Sequence, residues 1–131
     1  TAYRRQRQMC IRDRSKQKVN GIKSLSRQIL DNSFDPKLIA SMNDDEAIIY
    51  LSNLRKIGIC SAEMILLFTY NRPNIWPIQD IGLLRAISKN YNKNYLPPDT
   101  FINLLNKRFS PYCSVATWYL WRSIDPEPIQ Y

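Results

Sequence analysis

The sequence predicts an all-α fold. Apolar residues recur at three- and four-residue spacings through most segments, strand-like alternation persists nowhere, and proline, asparagine and aspartate punctuate the segments where helices start and stop. At 131 residues, 44% hydrophobic, the chain can form one domain with its own core. No repeat or low-complexity segment interrupts it.

In Ser15 to Asp31, Val19, Ile22, Leu25, Ile29 and Leu30 mark one face of a helix, with Lys16, Lys18, Lys23 and Arg27 on the others. Asp35 and Pro36 suit the N-cap and first turn of a short helix over Lys37 to Met42. Asn43 or Asp44 can begin a helix with the stripe Ala47, Ile48, Leu51 and Leu54. Asp44, Asp45 and Glu46 would favour its positive N-terminal end, so this acidic cluster reads as capping. After a turn over Lys56 to Ile59, Ser61 to Tyr70 is apolar on most faces and is expected to be buried, Ala62 allowing close packing. Asp80 opens a helix to Asn90, Asp99 or Thr100 caps one through Arg108, and a last helix runs from about Pro111 to Ile124 before Pro126 and Pro128 end it.

A net charge of +8 points to an anionic partner. Half of it lies in residues 1 to 15, where Arg4, Arg5, Arg7, Arg12 and Arg14 face only Asp13. Met9-Cys10-Ile11-Arg12-Asp13-Arg14 can be encoded by a sequence resembling the transposon end used in sequencing-library preparation. Residues 1–14 are therefore read as adapter-derived, fused to a shortened reading frame, and are excluded from fold reasoning; a basic nucleic-acid-binding arm is the alternative. Residues 15–131 are the domain.

With no histidine and three scattered cysteines, the composition offers neither a zinc site nor a four-cysteine cluster. Cys60 and Cys113 are expected as buried free thiols of a reducing compartment. No apolar run reaches membrane-span length and no signal-peptide core is evident, so a soluble, cytoplasmic protein is expected.

The functional reading centres on Leu51 to Arg85. Gly58 sits between two helical patterns, where amides opening the second helix can face a phosphate, although a glycine can equally be a plain helix C-cap. Pro73 and Pro77 bracket an extended loop, and Asp80 follows as either a functional acid or a simple N-cap.

Three blocks, in order, resemble the helix-hairpin-helix DNA glycosylases of the DNA-3-methyladenine glycosylase II type. Lys56-Ile57-Gly58-Ile59-Cys60-Ser61-Ala62-Glu63-Met64 is similar to the family's GIGPWTAEM hairpin. Asn71-Arg72-Pro73-Asn74-Ile75-Trp76-Pro77-Ile78-Gln79-Asp80 is similar to GRPDVFPVxD, whose last residue is the catalytic aspartate. Ser110 to Arg122, SPYCSVATWYLWR, resembles the closing PYRSxAxWYLWR helix.

The resemblance implies a helical glycosylase domain with a helix-hairpin-helix motif, incomplete at its N-terminus. It would be a monomer that flips an alkylated purine from damaged double-stranded DNA and hydrolyses its N-glycosidic bond. Asp80 would stabilise positive charge on the deoxyribose and orient the attacking water. Lys56, Ile57, Gly58, Ile59, Cys60 and Ser61 would hold the DNA backbone, with a monovalent cation, K⁺ or Na⁺, at the hairpin carbonyls and no other cofactor. Met64, Trp76 and Tyr112 would line the base pocket, aromatic faces favouring electron-poor alkylated bases. Trp118, Tyr119 and Trp121 are expected to pack in the core or to present a polar tip from the core to the surface.

Departures from the pattern carry expectations too. Lys56 replaces a glycine, straining the turn if that position needs positive φ. Cys60 stands where lyase relatives carry a Schiff-base lysine; a thiol cannot form the imine, so no strand cleavage is expected. Cys113 removes a usual arginine. A non-catalytic helix-hairpin-helix DNA-binding module, or a glycosylase for a different damaged base, are the alternative functions.

Overall fold

The computed structural model describes residues 16–125; the reading of residues 1–14 falls outside them. Among the described residues, six α-helices and one 3₁₀ turn follow in order: α1 (Lys16–Leu30), the turn (Pro36–Ser41), α2 (Asp44–Ser52), α3 (Ile59–Phe68), α4 (Ile81–Asn90), α5 (Asp99–Phe109) and α6 (Cys113–Ile124). None of these helices is long and apolar enough to cross a membrane. The all-α fold agrees with the sequence reading.

The caps show how local chemistry sets the boundaries. Asp35 accepts from the Lys37 amide, with Pro36 in the first turn, as its fixed φ favours. Asn43 and Glu46 form a reciprocal capping box on α2, and Asp80 caps α4 by accepting from the Leu83 amide. Pro98, not Asp99 or Thr100, is the N-cap of α5, and it caps without a side-chain bond.

Two apolar cores form. The first joins Phe34, Ile39, Ala47, Leu51, Leu54, Ala62, Leu66, Leu67 and Ile75, so it lies between α2, α3 and the 3₁₀ turn. The second joins Trp76, Leu83, Leu84, Ala86, Ile87, Ile102, Leu105, Cys113 and Leu120, between α4, α5 and α6. Ala62 is fully buried, which lets α3 approach α2 closely. The Pro73–Asp80 loop bridges the cores, since neighbouring Ile75 and Trp76 belong to different ones.

That loop is pinned at both ends. The Arg72 guanidinium donates to the carbonyls of Ile39 (2.7 Å) and Met42 (2.9 Å) and pairs with Asp44 (3.3 Å), tying it to the start of α2. The Ser114 hydroxyl donates to the Arg72 carbonyl and accepts from the Ile75 amide, while the Ser114 amide donates to the Pro73 carbonyl. Its final turn closes with the Asp80 amide on the Pro77 carbonyl (3.0 Å).

Helix α1 departs from expectation. Its apolar stripe buries no residue: Leu25 is half-buried against the first core, whereas Ile22, Ile29 and Leu30 are exposed, Leu30 by 83%. The pattern had correctly shown a helix, but a periodicity cannot show what covers its face.

Candidate nucleic-acid interface and active site

The hairpin between α2 and α3 places its strain where the sequence departs from the family pattern. Lys56, not Gly58, occupies the left-handed region, with φ of 72°. Gly58 has φ −91° and ψ 179°, ordinary extended backbone, and a Cβ there would meet nothing within 4 Å. Gly58 is thus the N-cap of α3, not the C-cap of α2. Having no side chain, it leaves the first-turn amides of Ile59, Cys60 and Ser61 uncapped; the first intrahelical bond is Ala62 N–H to the Gly58 carbonyl (3.0 Å). Those three amides and the positive end of the helix dipole form an anion-facing corner, with the exposed Arg55 and Lys56 beside it.

Asp80 sits at the adjoining loop-to-helix junction, partly accessible to solvent. Its Oδ2 accepts from the Leu83 amide (2.6 Å) and from the indole N–H of Trp121 (2.7 Å). The Cys60 thiol donates to Gln79 Oε1 at 3.4 Å, so the first turn of α3 touches the residue preceding Asp80. The uncapped amides and the carboxylate therefore belong to one continuous corner. Phe68, on α3, stacks on Trp121 at 5.9 Å with the rings 12° apart, completing the wall.

A second carboxyl bears on this corner. Glu63 is 8% exposed, and its Oε2 has no hydrogen-bond partner among the described residues. Burial, with a smaller contribution from the charge on Asp80, pushes it up from an ordinary value near 4.5 to about 7. Glu63 lines a cleft of about 560 Å³ with Asp45, Asn74, Trp76 and Asn106. Trp76 lines the same cleft, and its buried indole nitrogen is likewise unpartnered among the described residues.

The three base-pocket expectations do not meet in one cavity. Trp76 is buried in the second core, tilted against Phe109 at 5.9 Å. Tyr112 is 65% exposed and lines a separate cleft with Asn90, Tyr91, Arg108 and Tyr119. Met64 is half-buried on α3. In the aromatic run of α6, Trp118 and Tyr119 are exposed rather than packed inside, whereas Trp121 packs against the first core and points its indole N–H at Asp80, as a core-to-surface polar tip would. Of the two thiols, Cys113 is buried, which pushes it up, but Cys60 is exposed.

Glu63 and Trp121 are the residues that sequence reasoning passed over. Glu63 could have been noticed as the lone acid in an otherwise apolar helix, three and four residues before Leu66 and Leu67. Trp121 gives no such signal, because its contact with Asp80 spans 41 residues.

No family model matches the chain. Over 100 residues it is 33% identical to YfjP of Bacillus subtilis strain 168, a protein named provisionally as a DNA-3-methyladenine glycosylase; the alignment covers 76% of this chain and 35% of that protein. In fold it matches Schizosaccharomyces pombe 3-methyladenine DNA glycosylase, solved in complex with abasic DNA, with a TM-score of 0.75 and 22% identity over 90% of this chain and 58% of that one. In sequence and in fold the chain is thus similar to DNA-3-methyladenine glycosylases. A Bacillus halodurans DNA-3-methyladenine glycosidase is similar as well, at a TM-score of 0.73 and 25% identity, covering 85% of this chain and 51% of that structure. The chain thus spans between about a third and three fifths of the relatives it matches.

Proposed function

We propose that this chain carries the hairpin and the catalytic carboxylate of a base-excision enzyme. In this reading the enzyme hydrolyses the N-glycosidic bond of an alkylated purine, of the 3-methyladenine type, flipped from duplex DNA. The observation that carries the reading is the corner itself: Asp80 stands one hydrogen-bonded contact, Cys60 to Gln79, from the free amides of α3. A phosphate held on Ile59, Cys60 and Ser61, near the charge of Lys56, would bring the adjacent sugar to the carboxylate without any reading of sequence.

As the glycosidic bond breaks, positive charge develops on the deoxyribose, and the fixed Asp80 carboxylate stabilises it in place of water. The same carboxylate orients or deprotonates the attacking water, leaving a free base and an abasic site. Cys60, where an amine would be needed for imine formation, confines the chemistry to hydrolysis. A monovalent cation at the hairpin, K⁺ or Na⁺, would rest on backbone carbonyls of the turn between α2 and α3.

The test is base release. The complete reading frame containing this sequence, incubated with methylated duplex DNA, should liberate methylated purine and leave abasic sites. Borohydride should trap no protein–DNA adduct. Salt-sensitive binding with no base released would favour the non-catalytic module instead.

A further inference from the structure

We propose that Trp121 is a positioning residue for Asp80, fixing which carboxylate oxygen faces the reacting sugar. The inference rests on the reading of Asp80 as the catalytic carboxylate. Both hydrogen bonds to that side chain converge on one oxygen: the Leu83 amide at 2.6 Å and the Trp121 indole at 2.7 Å, each to Oδ2. Among the described residues no donor is bonded to Oδ1.

The two donors come from different directions. An N-cap bond to Leu83 alone lets a carboxylate swing about its terminal torsion, which is broad for aspartate. The second donor arrives from α6, 41 residues further on, and removes that freedom. Oδ1 then keeps a constant aim, and an ionised acceptor makes each bond a strong one.

The rest of the local structure holds the indole in place. Phe68 stacks on the Trp121 ring, so the indole plane is set by α3 as well as by α6. Gly82 supplies the room: a Cβ there would come within 3.0 Å of Asp80 Oδ2 and 3.3 Å of Trp121 Cδ1 and Nε1. The backbone at Gly82 has no positive φ, so its lack of a side chain serves clearance and not conformation.

Trp121→Phe keeps an aromatic ring for the Phe68 stack and deletes only the N–H. In the complete reading frame, single-turnover release of methylated purine should fall by roughly tenfold or more, the range expected for losing a hydrogen bond to a charged group. KM and affinity for an abasic duplex should stay within about twofold, as a positioning defect acts on the chemical step. Gly82→Ala, which crowds the same oxygen by a different route, should give the same split. In nuclear magnetic resonance spectra, the indole N–H resonance that Trp121→Phe removes should shift in Asp80→Asn.

If Trp121→Phe releases base at the parent rate while Asp80→Asn is inactive, the positioning role is wrong and the catalytic reading survives. If Asp80→Asn itself keeps the parent rate, the catalytic reading falls and this inference falls with it. A Trp121→Phe defect confined to KM or to thermal stability would make Trp121 structural and overturn the proposal.

Discussion

Replacing Glu63 with glutamine should change how stability depends on pH. Glu63 is 92% buried with one carboxylate oxygen unpartnered, and its protonation is shifted from near 4.5 to about 7, first by desolvation and then by the Asp80 charge. Below pH 4.5 the group is protonated whether the chain is folded or not. Between pH 4.5 and 7 the unfolded chain releases this proton while the folded chain keeps it, so stability falls as pH rises, levelling off above 7. A shift of about 2.5 units corresponds to about 3 kcal/mol in total, at 1.36 kcal/mol per unit. Glutamine is near-isosteric and does not titrate. Glu63→Gln should therefore exceed the parent by only about 1 kcal/mol near pH 5 and by about 3 kcal/mol at pH 8. Urea unfolding followed by circular dichroism at the two pH values measures this on the 131-residue chain. A gap between variant and parent that is equal at both values, within about 1 kcal/mol, would refute the argument that Glu63 is buried beside a charged Asp80.

Other consequences follow from single contacts. Lys56→Gly should stabilise the fold by about 1 kcal/mol in the same unfolding assay, since a non-glycine residue in the left-handed region carries a cost of that order. Arg72→Met removes three hydrogen bonds that tie the Pro73–Asp80 loop to the 3₁₀ turn and the start of α2; a loss of about 2 kcal/mol is expected, with base release falling as the loop loosens. A thiol reagent should label Cys60 promptly and leave Cys113 untouched until the chain is unfolded, one site being exposed and the other buried.

Much of this architecture could be read from the residues. The caps at Asp35, Asn43 and Asp80 were visible because capping is local chemistry, set within three or four positions. The hairpin and the Pro73–Asp80 loop were visible for the same reason, together with their likeness to known blocks. What depended on distant pairing was not visible. Trp121 could be read as core packing or as a core-to-surface polar tip, but only the crossing of α4 and α6 brings its nitrogen to Asp80. Trp76, read as a pocket candidate from its place near Asp80 in sequence, packs on Phe109 and lines the cleft with Glu63 instead of sharing a cavity with Tyr112. At Lys56 the sequence did show the departure; the structure adds that the positive φ falls on the lysine and that Gly58 serves as a bare N-cap.

The central claim is that Asp80 performs the chemistry while the hairpin holds the DNA. Asp80→Asn preserves a side-chain acceptor for the Leu83 and Trp121 N–H groups and removes the negative charge. Single-turnover release of methylated purine from duplex DNA, measured beside affinity for an abasic duplex, tests it most directly. The account predicts release slowed by about 100-fold or more with affinity retained; release at the parent rate would contradict it.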